Sequence, residues 1–167
     1  MSTQEHSVCV FCGSSPGAQP EYIEAANDIG QAIAQTESWR LVYGGGTLGL
    51  MGAVSASCLR AGGKVLGVIP KAMTVATPRG HPTTSKEGTG PVLHNPDDTK
   101  LGSATSIVVE DMHTRKRIMA QKSDLGFVAL PGGYGTFEEV FEMVTWTQLG
   151  IHRKRKLISK CCFCMLS

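Results

Sequence analysis

No stretch of this 167-residue sequence is long and apolar enough to span a bilayer, and no basic segment leads a hydrophobic run near its start. A soluble, cytoplasmic protein with no membrane partner is the expectation. Charge of one sign is scarce as well. Sixteen Lys and Arg stand against 14 Asp and Glu for a net charge of +2, and the one dense basic run is Arg153-Lys154-Arg155-Lys156. No extended positive face is written into such a chain, so nucleic acid is not an expected partner, and the run reads as a solvated helix-to-strand connection.

The sequence also lacks the fingerprints of the commonest nucleotide enzymes. It has neither G-x-G-x-x-G nor a glycine loop ending in Lys-Ser/Thr, which argues against a dehydrogenase or a kinase. Nothing singles out a lysine poised to hold pyridoxal phosphate, which argues against a decarboxylase. Of six cysteines, Cys9 and Cys12 form a C-x-x-C inside the apolar run Val8-Cys9-Val10-Phe11-Cys12. On a buried strand, residues three apart face opposite ways, and no second ligand pair of suitable spacing accompanies them. The cluster Cys161, Cys162 and Cys164 reads as an unrelated tail, and structural disulfides are not expected in the cytosol.

What is present is a βα alternation. The 41% hydrophobic content suffices for one core over residues 1–167 and the length is too short for two ordinary domains. Candidate strands are Val8–Cys12, Arg40–Tyr43, Val65–Ile69, Ser106–Val109 and Phe127–Leu130, each followed by glycine, proline or polar residues. Between them lie helical periods. One opens at Pro20 and places Ile23, Ala26, Gly30 and Ile33 on one face. Another carries Leu50, Met51, Val54 and Cys58 to a stop at Gly62-Gly63. The expected fold is α/β: a Rossmann-like parallel sheet flanked by helices, in a single domain. Residues 71–100, rich in Pro, Gly, Thr and Ser, carry no period and read as a loop insertion.

Two glycine clusters follow predicted strands, Gly44-Gly45-Gly46-Thr47 and Pro131-Gly132-Gly133-Tyr134-Gly135-Thr136. Glycine lets the backbone approach an anion, and the helix that follows offers unpaired N–H groups and a positive dipole end. Both clusters are phosphate-site candidates. A helical wheel adds a sharper signal. Arg115 projects on the inward side of its helix, beside an apolar arc of Met112, Ile118 and Met119. Glu139 falls between Met143 and Trp146, while Glu138 and Glu142 point toward the polar side. A buried guanidinium or carboxylate is costly unless paired or meeting a ligand. A simple ion pair between the helices and a catalytic pair both fit, and placement just past strand ends favours the second. Lys116, on the shoulder of its helix, either adds a second cation or lies along the surface.

These residues carry a resemblance. Pro131 to Glu139 match P-G-G-x-G-T-x-x-E, and Met112-His113-Thr114-Arg115-Lys116 is similar to M-H-x-R-K. Cys12-Gly13-Ser14-Ser15 and Tyr43 to Gly52 look like two further blocks of the LONELY GUY family. The resemblance covers roughly residues 8 to 152. It implies a Rossmann-like homodimer that takes a nucleoside 5′-monophosphate, AMP or prenylated AMP, and releases free purine base (cytokinin) and ribose 5-phosphate, with no cofactor and no metal. It places the catalytic pair on Arg115 and Glu139 and the phosphate loop on Gly132, Gly133, Gly135 and Thr136. Lys116, Glu138 and Thr145 fall on substrate-contacting positions, and Gly45, Gly46, Thr47 and Ser14 on the remaining binding loops. The alternative is a catalytically silent nucleotide-binding module.

Two departures from the family pattern stand out. Residues 71–100 exceed the corresponding connection and leave the family's acidic residue there without a counterpart. After the basic run, where the family continues into another strand and closing helices, residues 157–167 form an unfamiliar tail. A truncated or alternatively spliced product that has lost a sheet strand is the expectation.

Overall fold

The computed structural model describes residues 4–74 and 102–158. The chain order is β1 (His6–Phe11), α1 (Pro20–Gln35), β2 (Trp39–Tyr43), α2 (Gly49–Arg60), β3 (Lys64–Pro70), β4 (Ser103–Val109), α3 (Met112–Lys122), β5 (Gly126–Ala129), α4 (Tyr134–Gln148) and β6 (Arg155–Ile158). All six strands pair in parallel, in the order β4-β3-β2-β1-β5-β6. The order turns back on itself beside β1, which pairs with β2 on one side and β5 on the other. In an open α/β sheet, ligands bind at the carboxyl ends of the strands flanking such a point.

Strand alternation sorts the core into two layers. Val8, Val10, Cys12, Leu41, Tyr43 and Val65 face α1 and α2, meeting Tyr22, Ala26, Ile33, Leu50, Val54 and Cys58. Cys9, Phe11, Val42, Leu66 and Val68 face α3 and α4, meeting Met119, Ala120 and Met143. Cys9 and Cys12 therefore lie on opposite sides of the sheet, as their spacing requires. On α1 it is Tyr22, with Ala26, Gly30 and Ile33, that is fully buried, whereas Ile23 is only half-buried.

The C-terminal part corrects the sequence reading. A sixth strand forms, and Arg155 and Lys156 of the basic run belong to it, in register with Gly126 and Phe127 of β5. The run is therefore not merely a connection, and β5 is an interior strand rather than an exposed edge. Four residues without a clear apolar alternation gave too short a pattern to read; the backbone ladder offered by β5 supplies what the pattern lacked. Nor is Lys154 fully solvated. Half-buried, it donates through Nζ to the carbonyl of Ala120, in the last turn of α3, where a cation complements the helix dipole. Of the expected loop at 71–100, only a short 3-10 turn, Lys71–Met73, and Thr74 fall within the described residues. The tail cysteines lie outside them.

A candidate active site at the carboxyl ends of the strands

The loops after β1, β2 and β5 interlock before any side chain is considered. Gly13 N donates to Pro131 O at 2.9 Å, and Met51 N donates to Gly13 O at 3.2 Å. The backbone of Ser14 in turn lies against Gly49, at the start of α2. Cys12-Gly13-Ser14, the 44–49 segment and Pro131-Gly132 thus form one rim at the turning point of the sheet. Ser14 and Thr47 are exposed on it.

The two glycine clusters have different surroundings. A Cβ on Gly44 would overlap the guanidinium of Arg115, one on Gly45 would overlap Ile69, and one on Gly46 would press on Met51. Gly133 and Gly135 have no atom within reach of such a Cβ and are exposed. Gly132, by contrast, is closed off by the buried side chain of Thr136. Gly133 is the N-cap of α4 and offers no side chain; Thr136 N turns back to Gly133 O at 3.0 Å, and the N–H groups of Tyr134 and Gly135 are left to other partners. The neighbouring α3 differs: Asp111 caps it, accepting from Thr114 N at 2.7 Å and Thr114 Oγ1 at 2.9 Å. An anion arriving at this rim therefore meets an open helix start at α4 and one already occupied by a carboxylate at α3.

Between these two helices lie the charged residues that the wheel singled out. Arg115 and Glu139 are each only 7% exposed, and Arg115 Nη1 donates to Glu139 Oε1 at 2.8 Å. Arg115 Nε donates to Val68 O at 3.0 Å, and Nη2 to Gly44 O at 3.3 Å. The guanidinium thus ties the ends of β2 and β3 to α4. Burial pushes the Glu139 carboxyl up to about 7, with Arg115 opposing and Glu138 adding to the rise. A carboxyl that changes charge near neutrality beside an open loop suits acid–base work.

Lys116 is buried, not splayed on the surface, and its ammonium contacts Glu138 and, at 2.7 Å, Glu142. Burial alone would lower its pKa, but the hydrogen bond to Glu138 and the attraction of both carboxylates outweigh that and the net shift is upward. Here the wheel needs two corrections. Glu142, assigned to the polar side, has only 18% of its side chain exposed and faces the Lys116 ammonium of α3. Met112, assigned to the apolar arc, is exposed. Thr145 lies on the exposed side of α4, with its hydroxyl donating back to Phe141 O, and is not drawn toward the glycine turn.

Residues 51–159 match the protein-family model described as "possible lysine decarboxylase". A cytokinin riboside 5′-monophosphate phosphoribohydrolase of Arabidopsis thaliana is 47% identical over 147 residues, covering 88% of this chain and 55% of that protein. The enzyme of the same name from Rhodococcoides fascians is 43% identical over 148 residues, covering 89% and 64%. The chain belongs to the LONELY GUY family. It spans a little over half the length of the plant members it matches. The family fold extends to solved structures of lower identity. The molybdenum cofactor carrier protein of Chlamydomonas reinhardtii superposes with a TM-score of 0.64 at 22% identity, over 93% of this chain and 76% of that one. The molybdenum cofactor binding protein of Rippkaea orientalis gives 0.57 at 20%, over 99% and 95%. Among the described residues, no helix is long and apolar enough to cross a membrane.

Proposed function

We propose that the chain hydrolyses the N-glycosidic bond of an N6-modified adenosine 5′-monophosphate, releasing the free purine base and ribose 5-phosphate, in the cytoplasm. The observation that carries this reading is the buried Arg115–Glu139 pair set beside a glycine turn that opens on an uncapped helix. The names of relatives such as those of Arabidopsis thaliana and Rhodococcoides fascians point to the same substrate class.

In this scheme Gly133, Gly135 and the first turn of α4 receive the phosphate, Lys116, paired with Glu138 on that helix, supplies a cation, and Gly132 and Thr136 shape the turn. Ser14, Gly45, Gly46 and Thr47 belong to the rim that receives the nucleoside. As the C1′–N9 bond breaks, its electron pair leaves with the purine and positive charge builds on the ribose. Ionised Glu139 stabilises that charge and accepts a proton from the water that adds its oxygen to C1′, the purine nitrogen takes up a proton from solvent, and Glu139 returns its proton to solvent, so that one water is consumed in all. Arg115, with donors on Glu139, Val68 and Gly44, acts through Glu139 by fixing where the carboxylate sits.

A homodimer belongs to the same proposal. Tyr134 is 91% exposed and Phe141, Leu149 and Ile151 are also exposed, along and just beyond α4. That is an apolar surface suited to a second copy. Thr145 lies on this side, roughly 16 Å along the helix from Tyr134. It reaches a substrate only at a site that the partner shares.

Purified chain incubated with AMP and with isopentenyladenosine monophosphate tests the reading by chromatography of the products. Free base with ribose 5-phosphate supports it. Binding without turnover replaces it with a silent nucleotide-binding module. Carbon dioxide from lysine would point to the activity in the family description, which the geometry disfavours: Lys116 is held charged by two carboxylates, not as the neutral amine that Schiff-base chemistry needs.

A further inference from the structure

The charged cluster between α3 and α4 contains two cations and three carboxylates: Arg115 on Glu139, and Lys116 on both Glu138 and Glu142. The ammonium has three donors and two of them face carboxylates, so a phosphate draws on the full charge of Lys116 only when one carboxylate lets go. The two carboxylates are not equivalent. Glu138 and Glu142 lie one helical turn apart on α4, so both reach the same ammonium from one face. Glu138 has 56% of its side chain exposed, at the turn nearest the open glycines, and loses little by swinging into water. Glu142 is only 18% exposed and has the edge of His113 at 4.0 Å on its other side. It sits deeper along the helix, away from where the phosphate would arrive.

We infer that Glu142 is a positioning residue: it anchors the Lys116 ammonium at the mouth of the glycine turn while Glu138 is the contact released when a phosphate binds. The inference rests on the phosphate role proposed for Lys116. Arg115 carries the same charge as Lys116 and cannot hold it, Glu139 pairs with Arg115 rather than with Lys116, and Glu138 holds the ammonium only until that carboxylate yields. A lysine side chain has rotatable bonds enough to leave the site without such a tether, and a fixed charge is worth more to a ligand than a wandering one.

Calorimetric titration of the full chain with ribose 5-phosphate and, separately, with adenosine tests this, in wild type, Glu142→Gln and Glu142→Asp. Loss of the tether weakens ribose 5-phosphate by about tenfold in the Gln variant, leaves adenosine within about twofold, and is largely recovered in the Asp variant. In steady-state hydrolysis of AMP the same change raises KM while kcat holds within about twofold. A Gln variant that binds ribose 5-phosphate as wild type does, or that loses both ligands equally, overturns the inference, the second result marking Glu142 as merely structural. A wild-type chain that binds ribose 5-phosphate in this pattern but hydrolyses nothing would end the proposed hydrolysis and leave the tether standing. A wild-type chain that does not bind ribose 5-phosphate ends both.

Discussion

Arg115 Nη1 lies 2.8 Å from Glu139 Oε1, and the same guanidinium reaches the carbonyls of Val68 and Gly44, so one side chain joins α3, α4 and the ends of two strands. Removing one partner of a buried pair leaves the other charge uncompensated. Arg115→Ala is therefore expected to destabilise the fold by about 3–5 kcal/mol, read from urea denaturation midpoints. Arg115→Lys keeps the charge but not the fork and falls between the two. An alanine variant as stable as wild type would mean that the pair does not organise this region.

Gly44→Ala is predicted to act on Arg115 at a distance of seventy-one residues in sequence. The added methyl occupies the place of the guanidinium, displaces it from Glu139 and costs about 1–3 kcal/mol with a matching fall in turnover. Alanine at Gly133 or Gly135 meets no neighbour, so the melting temperature stays close to wild type while KM for the nucleotide rises. Comparing the three variants by thermal melting and steady-state kinetics separates a seat for a side chain from a seat for an anion.

Much of this was legible in the sequence, for a physical reason. Buried runs such as Val8 to Phe11 and Val65 to Ile69 announce parallel strands, and an Arg or Glu on the apolar side of a helix is conspicuous because burying it is costly. The Arg115 and Glu139 positions followed from that cost. What escaped notice depends on partners distant in sequence. Glu142 is paired with Lys116, a residue of another helix, and a single-helix wheel holds no information about that. The strand at Arg155–Ile158 exists because β5 offers it a ladder, and the polar starts of β1 and β4, at His6 and Ser103, are likewise set by their neighbours.

Stability should depend on pH through Glu139. Its carboxyl is raised from 4.5 to about 7 in the folded chain, chiefly by burial. Between those values the folded state keeps a proton that the unfolded chain has released, so stability falls as pH rises through this window and is flat above it. The full change is about 3 kcal/mol for one group. Urea midpoints from pH 5 to 8 should show this decline in wild type and lack it in Glu139→Gln. A parallel decline in both proteins would assign the effect to another group.

The exposed side of α4 gives a prediction about assembly. Phe141→Glu places a charge among Tyr134, Phe137 and Leu149 and should shift sedimentation from dimer to monomer at micromolar concentration, with little change in far-ultraviolet circular dichroism. A wild-type chain that sediments as a monomer at every concentration removes the dimer from the account.

The most direct measurement is hydrolysis of AMP and isopentenyladenosine monophosphate across pH 5 to 9 by wild type and Glu139→Gln. The ionised Glu139 carboxylate is held responsible for the bond-breaking step, so wild-type kcat/KM should climb through about pH 7, where that carboxyl titrates. The Gln variant should be slower by at least about a hundredfold and have no such limb. Equal rates in the two proteins, or an acid limb that survives in the variant, would contradict it.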